Sequence, residues 1–175
     1  MLLFVRHGES EANRKNVFAG QRDNSHLTEK GEAQAKAVGQ KLLDDNIHID
    51  HMLVSTLDRT RATARIIAET IGFDPEHIVY EKRLAEYDMG LLSGTPIHPI
   101  SSAEIASHPE AEDPDMFQRR LLQVVEEARA LNGNTLLVSH TGAGRMLQAT
   151  QDHKPVADFY DEPGFENGEI AELHL

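Results

Sequence analysis

Short apolar runs recur along the chain, and most of them stop abruptly at a polar residue. Runs of this length predict buried strands, because a helix needs a longer stretch with apolar positions three and four residues apart. The first run stops at Arg6 and the second stops at Ser55. All the runs together predict five strands, at residues 2–5, 52–54, 78–80, 135–138 and 168–175.

Three longer stretches between these runs have the apolar spacing of amphipathic helices. The first follows Thr28, whose hydroxyl can cap a helix, and the second ends at Gly72, a residue that suits a helix end. The third has Asp113 as its cap and Pro114 at its first position. The apolar stripes of the three predicted helices are Ala35, Val38 and Leu42; Ala62, Ala64, Ile66, Ile67 and Ile71; and Phe117, Leu121, Val124, Ala128 and Leu131.

The alternation of strands and helices predicts an α/β fold. We expect a three-layer α/β/α arrangement, in which a mainly parallel central sheet has helices on both faces. Residues 1–175 contain no internal repeat and no linker, which favours a single domain. Residues 90–113 have little apolar periodicity and include Pro96, Pro99 and Pro109. This segment is therefore predicted to be a short cap, made of loops with one short helix, that covers one edge of the sheet and the active site.

Composition and charge narrow the class of partner. The chain has 17 Lys and Arg against 29 Asp and Glu, which gives a formal net charge of −12. Such a charge disfavours nucleic-acid binding, because neutralising a phosphate backbone requires a basic surface. The absence of cysteine excludes disulfides, cysteine-ligated metals and thiol nucleophiles. The apolar start is too short for a signal peptide or a membrane span, so we expect a cytoplasmic protein without a membrane partner.

The most reactive side chains follow the predicted strands. Arg6 and His7 follow the first strand, Arg59 follows the second, and His140 follows the fourth. Ligands of parallel sheets bind beyond the carboxyl ends of the strands, so these side chains should meet at one edge. Two arginines and two histidines on an otherwise acidic protein favour an anion. Phosphate suits them best, because a guanidinium presents a planar fork of donors to its oxygens.

Histidine can perform chemistry on a bound phosphate ester. A neutral ring nitrogen attacks phosphorus when the other nitrogen is held by a hydrogen bond, and surrounding cations can stabilise the transition state without a metal. The leaving alkoxide then needs a proton, for which Glu86 is the first candidate and Asp88 the second. His48 and His51 lack a third ligand at a recognisable spacing. We therefore expect neither a metal nor any other cofactor.

Five blocks, in the correct order and spread over most of the chain, resemble the histidine phosphatase superfamily, in its phosphoglycerate mutase-like group. One tripeptide would be weak evidence, whereas five ordered blocks are strong. The blocks are Arg6-His7-Gly8-Glu9-Ser10 with Asn13; Asp23, Leu27-Thr28, Gly31 and Gln34-Ala35; Ser55, Leu57, Arg59 and Thr63-Ala64; Leu84, Glu86 and Gly90; and Ser139-His140, Gly142 and Arg145.

The resemblance implies a role for each matching residue. His7 would be the nucleophile that becomes phosphohistidine, and Glu86 would protonate the leaving group and later activate water. Arg6, Arg59 and His140 would form the phosphate pocket. The resemblance also implies further substrate contacts, with the glycines letting backbone approach the phosphate closely. These contacts are Gly8, Asn13, Gly20, the backbone amide of Thr141, and Gly142.

Several positions depart from the family pattern. Thr141 stands where glycine is common, and Gly144 replaces a usual apolar residue. Ser93 replaces a usual glutamate, and Ala19 stands where the mutases carry a hydroxyl residue that touches substrate. None of these changes removes a core catalytic group. They leave the identity of the substrate open, but they do not change the predicted type of reaction.

We expect a metal-independent phosphatase that hydrolyses phosphate monoesters of small molecules, with phosphoproteins as a second substrate class. The alternatives are a mutase that transfers the phosphoryl group between hydroxyls and a phosphate-binding regulator without catalysis. Hydrolysis is favoured because the segment between Glu86 and His140 is short for a mutase, and residues 104–115 carry five acidic residues and no Lys or Arg. Phe117 and Arg120 also look like the phosphatase branch, unless they are a core phenylalanine and a solvated arginine. The sequence does not indicate the oligomeric state.

Overall fold

A five-stranded sheet forms the centre of the computed structural model, which describes residues 1–175. The strands are β1 (Leu2–Arg6), β2 (His51–Val54), β3 (Val79–Tyr80), β4 (Thr135–Ser139) and β5 (Ile170–Glu172). Their spatial order is β3-β2-β4-β1-β5. The first four strands run parallel, and β5 pairs antiparallel with β1. The prediction of a mainly parallel sheet is therefore confirmed.

Six α-helices connect the strands, and the three predicted helices are among them. The helices are α1 (Glu11–Arg14), α2 (Glu29–Asp44), α3 (Asp58–Ile71), α4 (Ser102–Ala106), α5 (Pro114–Arg129) and α6 (Thr141–Gln151). The predicted caps are present, because the side chains of Thr28 and Asp113 each accept a hydrogen bond from a backbone N–H in the first turn. Gly72 ends α3 with a φ of 72°, a left-handed conformation that glycine adopts without strain.

Helices cover both faces of the sheet. Leu3 and Val5 pack into an apolar cluster with residues of α2 and α3, whereas Phe4 packs into a second cluster with residues of α5 and α6. Successive side chains of a strand point to opposite faces, so the two clusters lie on opposite sides of the sheet. The three-layer α/β/α arrangement is confirmed. None of the helices has the length and apolar content that crossing a bilayer requires.

Helix α6 is the main element that apolar spacing does not predict. Its sequence contains two glycines, which lower helix propensity. It forms because Ala143, Met146 and Leu147 are completely buried in the cluster around Phe4, and packing outweighs propensity here. In the opposite direction, Leu131 was included in the stripe of α5 but lies beyond its last residue and is exposed.

Residues 90–113 form the segment that the sequence indicates as a cap, and it contains one short helix, α4. The segment is tied to the loop before α2 by a bridge between Val17 and Pro96. A second bridge, between Met89 and Ala111, ties it to residues 81–89, which follow β3 and are called the Glu86 loop. Leu92 and Ile105 are buried in the cluster of α5 and α6. The segment is therefore packed beside two loops that carry predicted site residues.

Candidate active site

The carboxyl ends of neighbouring strands bring the predicted arginines and histidines together. In the β1–β4 register, Arg6 lies opposite Ser139, and His7 and His140 are the next residues along each strand. The centroids of the two histidine rings are 5.2 Å apart. Arg59, in the first turn of α3, donates from Nε to Nε2 of His7 at 3.2 Å. The sheet thus gathers side chains from three distant parts of the sequence.

The hydrogen bonds of His7 define its tautomer. Its Nδ1 lies 2.7 Å from the carbonyl oxygen of Gly8, and because a carbonyl only accepts, Nδ1 carries the hydrogen. Nε2 then has a lone pair, which accepts the hydrogen bond from Arg59. Burial, followed by the positive charges of Arg59 and Arg6, lowers the pKa of His7 well below its usual value of 6.5. A neutral ring with a lone pair on Nε2 is the form that can attack phosphorus.

The buried guanidinium of Arg59 uses each of its three nitrogens in a hydrogen bond to a protein group, which leaves two of its five N–H hydrogens for a ligand. Its Nη1 donates to the carbonyl of Asp23 at 2.7 Å, and its Nη2 donates to the carbonyl of Gly20 at 2.9 Å. The carbonyl of Gly20 thus holds Arg59, and the predicted contact of Gly20 with substrate stays a prediction. Sequence patterns do not reveal backbone acceptors, which explains why this role of Gly20 and Asp23 was missed.

Arg6 retains unused hydrogen-bonding capacity. Its Nη1 donates to the carbonyl of Phe165, whereas its Nε is buried and has no partner. Burial lowers the pKa of Arg6, against the opposing effect of the Glu86 carboxylate. A guanidinium with an unsatisfied buried N–H is a donor suited to an incoming oxyanion.

Glu86 lies next to the start of α6, and backbone N–H groups hold both of its carboxyl oxygens. Its Oε1 accepts from the backbone N–H of Tyr87 at 2.8 Å, and its Oε2 accepts from that of Gly142 at 3.0 Å. A methyl group at Gly142 would lie 2.2 Å from Oε1 of Glu86. The absence of a side chain at Gly142 therefore makes room for this carboxylate, and the predicted approach of its backbone to the phosphate stays a prediction. In its carboxylate form, Glu86 partly offsets the lowering of the pKa of Arg6 and Arg59 by burial, which locates it beside them.

The other acidic residues near the site are held elsewhere. Asp88, the second candidate for proton donor, accepts from Nε of Arg22 at 3.0 Å and from the backbone N–H of Gly90 at 2.9 Å. Glu9 accepts from the Thr28 hydroxyl at 2.9 Å and from the ammonium of Lys30 at 3.0 Å. Both carboxylates are thus paired outside the arginine–histidine cluster, and the geometry favours Glu86 as the proton donor.

His140 is the N-cap residue of α6 and is completely buried. Its Nε2 lies 2.7 Å from Oγ of Ser55, and its Nδ1 has no hydrogen-bond partner. Burial and the charge of Arg59 lower its pKa well below 6.5. Thr141 follows as the first residue of α6, so its backbone N–H has no helical carbonyl to bond. The predicted donors at this strand end are therefore placed together, with unpaired hydrogen-bonding groups.

Two further predicted contacts have structural partners. A methyl group at Gly8 would lie 2.2 Å from the carbonyl oxygen of Gly31, so the glycine allows close packing with α2, and its contact with a ligand stays a prediction. Asn13 accepts from the backbone N–H of Ser10 at 3.0 Å, which completes a capping box with Ser10, the N-cap residue of α1. Its Oδ1 also accepts from Nδ2 of Asn167, which in turn donates to the carbonyl of His7 at 3.0 Å. Asn167 was missed, because nothing in its local sequence links it to a strand 160 residues earlier.

The alternative prediction for Arg120, that it is a solvated arginine, is wrong. It donates to three successive parts of the Glu86 loop, the carbonyls of Arg83, Ala85 and Glu86, at 2.6, 2.7 and 2.9 Å. It also pairs with Glu112 at 2.7 Å, and its guanidinium lies over the ring of Phe117, which is a core residue. Arg120 therefore fixes the backbone that carries Glu86.

Comparisons with known proteins agree with this arrangement. A family model described as the histidine phosphatase superfamily (branch 1) matches residues 2–175. A probable phosphoglycerate mutase GpmB from Erwinia tasmaniensis is 35% identical, over 85% of this chain and 73% of its own. This chain spans about two thirds to three quarters of the length of the mutases of that name.

Two solved structures are similar in fold. Bacillus stearothermophilus YhfR superposes with a TM-score of 0.83 at 23% identity, covering 97% of this chain and 88% of its own. A mycobacterial glucosyl-3-phosphoglycerate phosphatase superposes with a TM-score of 0.78 at 22% identity and covers the same 97% and 88%. The resemblance inferred from the five sequence blocks is thus confirmed by independent similarity in sequence and in fold.

Proposed function

The chain belongs to branch 1 of the histidine phosphatase superfamily, and we propose that within it the protein is a metal-independent phosphatase that hydrolyses phosphate monoesters. The proposal rests on the buried cluster of Arg6, His7, Arg59, Glu86 and His140. A tautomer with its lone pair on Nε2, two guanidinium groups and a carboxyl group are the parts that phosphoryl transfer to histidine requires.

The first half-reaction transfers the phosphoryl group to the protein. The lone pair on Nε2 of His7 attacks phosphorus, the ester P–O bond breaks, and the departing alkoxide takes a proton from the carboxyl group of Glu86. Arg6, Arg59 and His140 hold the equatorial oxygens, with the Thr141 amide as a further donor. These groups need no reorganisation as charge develops, because protein contacts already hold them.

The second half-reaction returns the protein to its starting state. The Glu86 carboxylate takes a proton from water, the water oxygen attacks phosphorus, and the P–N bond to His7 breaks. Inorganic phosphate leaves, and Glu86 is again protonated. The same carboxyl group thus serves as acid and then as base, as microscopic reversibility allows.

The observation that favours hydrolysis over mutase activity is the engagement of the remaining arginines near the site. Arg22 pairs with Asp88 and Glu110, and Arg120 pairs with Glu112. Arg145 donates to the carbonyl of Tyr160 and lies over its ring. A mutase must retain a substrate that carries a second anionic group while it reorients, which calls for cations beyond Arg6 and Arg59. Arg22 and Arg120 would have to give up carboxylate partners to serve, so of these three arginines Arg145 is the one that keeps an unpaired N–H, at Nε.

Phosphoglycerate-type mutase activity is the second candidate, because curated relatives at 33 to 38% identity carry that name. We propose a small phosphate monoester as the substrate, with a phosphoprotein as the second class. A panel of phosphate monoesters, including 3-phosphoglycerate, should be assayed for inorganic phosphate and for positional isomers of the substrate, with and without chelator. We expect phosphate release that is insensitive to chelator. Isomerisation faster than phosphate release would establish the mutase instead, and no turnover of any ester would favour a phosphate-binding regulator.

A further inference from the structure

Ser55 is buried at the end of β2, and its hydroxyl has one partner, the ring of His140. The two atoms, Oγ and Nε2, are 2.7 Å apart. Ser55 is completely buried, so bulk water does not reach the hydroxyl. The backbone of Ser55 is fixed separately, since its N–H donates to the carbonyl of Val138 and its carbonyl accepts from the hydroxyl of Thr60. The position of Oγ against the histidine ring is thus well determined.

Counting hydrogens decides the direction of this hydrogen bond. A hydroxyl has one hydrogen to donate, and a neutral imidazole has one donor and one acceptor nitrogen. If Nε2 of His140 donated to Ser55, the hydroxyl hydrogen of Ser55 would lack an acceptor, and Nδ1 would be a buried lone pair without a partner. If Ser55 donates, its hydrogen is satisfied and the remaining unpaired group is an N–H on Nδ1. The second arrangement leaves fewer unsatisfied groups.

The chemistry of the site favours the same arrangement. The imidazole of His140 lies edge-on to that of His7, in the cluster that also contains Arg6 and Arg59. A lone pair on Nδ1 would repel the oxygens of a phosphoryl group, whereas an N–H would bind them. Burial and the neighbouring arginine lower the pKa of His140, so its ring is neutral and the choice of tautomer decides whether Nδ1 donates.

We propose that Ser55 is a positioning residue, which donates its hydroxyl hydrogen to Nε2 of His140 and so holds this histidine as the Nδ1–H tautomer that donates to the phosphoryl group. The inference rests on the proposed function for its phosphoryl ligand. It concerns a ground state of the free protein, so it is tested without turnover. Its failure would leave hydrolysis at His7 intact, and a failure of hydrolysis would leave the tautomer measurable.

The test is long-range ¹H–¹⁵N correlation NMR of the histidine rings, which distinguishes protonated from unprotonated ring nitrogens. Signals of His140 are assigned from their loss in His140→Gln. The wild-type protein should show a protonated Nδ1 and an unprotonated Nε2 at neutral pH. In Ser55→Ala the ring should lose this preference, and Ser55→Thr, which keeps the hydroxyl, should restore it. If the alanine variant does not fold, Ser55→Cys supplies a much weaker donor in its place.

A binding measurement gives an independent readout. Inhibition by inorganic phosphate should weaken about tenfold in Ser55→Ala and recover in Ser55→Thr, because one hydrogen bond to a charged ligand is lost in part. A wild-type spectrum with hydrogen on Nε2, or on both nitrogens, would overturn the proposal. An unchanged His140 tautomer in both Ser55→Ala and Ser55→Cys would also overturn it, because the hydroxyl would then not determine the tautomer.

Discussion

Histidines at the two ends of the sheet differ in their exposure and in their contacts. At the amino ends of the strands, an open cleft of about 500 Å³ is lined by apolar residues of α2 and α3 and rimmed by His48 and His77. Their side chains are 85% and 77% exposed, and each has a carboxylate no closer than 3.6 Å. At the carboxyl ends, His7 is 4% exposed and His140 is not exposed at all.

The contrast teaches that the size of a cavity does not locate the chemistry in this fold. The open cleft has room for a ligand, but neither of its histidine rings makes a hydrogen bond. At the carboxyl edge both rings are buried, and each has a nitrogen within 2.7 Å of an oxygen of the protein. Burial next to arginines keeps both rings neutral, which is the state that nucleophilic attack and neutral donation require.

The largest effect should come from removing one histidine at each end of the sheet. His7→Ala should lower kcat at least about 10³-fold, because the nucleophile is lost. His48→Ala and His77→Ala should stay within about twofold of wild type, as expected for exposed positions. Steady-state phosphate release measures all three variants. Comparable losses in His7→Ala and His48→Ala would remove the distinction between the two ends.

The carboxylates give the next largest contrast. Glu86→Gln removes the proton donor and should lower kcat about 10²- to 10⁴-fold. Asp88→Asn weakens the pair with Arg22 outside the cluster and should change kcat by less than about tenfold. Using an ester with a leaving group of low pKa, such as p-nitrophenol, sharpens the test. Protonation of the leaving group matters less for such an ester, so Glu86→Gln should lose less kcat/KM, which reports the first half-reaction, on it than on an alkyl ester. A larger loss in Asp88→Asn would reverse the assignment.

Two glycines of α6 separate catalytic geometry from packing. A methyl at Gly142 would lie 2.2 Å from Oε1 of Glu86, whereas one at Gly144 would lie 2.5 Å from the ring of Phe165. Gly142→Ala should lower kcat about 10²-fold by displacing the carboxyl group, with a smaller change in the free energy of unfolding. Gly144→Ala should instead destabilise the fold by about 1–3 kcal/mol and retain more of its kcat. Urea denaturation and kinetics of both variants check the pattern, and equal kcat losses would contradict it.

The smallest effect concerns pH. The pKa of His7 is lowered in the folded protein, so between that value and 6.5 the unfolded chain binds the extra proton. The free energy of unfolding should therefore fall as pH falls below 6.5, by at most about 1.4 kcal/mol per pH unit for each such histidine. Urea denaturation at several pH values should show a shallower fall for His7→Ala than for wild type, with His48→Ala as the exposed control. Identical slopes for wild type and His7→Ala would contradict the neutral buried ring.

The sequence alone predicts the elements whose local signals, such as caps and apolar spacing, agree with the packing of the folded protein. The caps Thr28 and Asp113 and the apolar runs of the strands predict the sheet and three of its helices. The same ordering predicts that Arg6, His7, Arg59 and His140 meet. Helix α6 was not predicted, because its glycines oppose a helix and the buried face that stabilises it exists only in the folded protein.

The features of the site that the sequence could not predict are mostly hydrogen bonds to backbone carbonyls. The carbonyls of Gly20 and Asp23 hold Arg59, and the carbonyl of Gly8 holds His7. Every residue has a carbonyl, so no sequence pattern distinguishes these three. The packing of Gly8 against Gly31 likewise depends on a contact that only the tertiary structure reveals.

The central claim is that phosphate ester hydrolysis passes through a covalent bond between phosphorus and Nε2 of His7. Rapid mixing with a ³²P-labelled substrate, quenching in base, and peptide mapping test it directly, because phosphohistidine survives base and is lost in acid. We predict label on the peptide that contains His7, more of it when Glu86→Gln slows hydrolysis of an activated ester, and none in His7→Ala. Label on another residue, or full turnover by His7→Ala, would contradict the account.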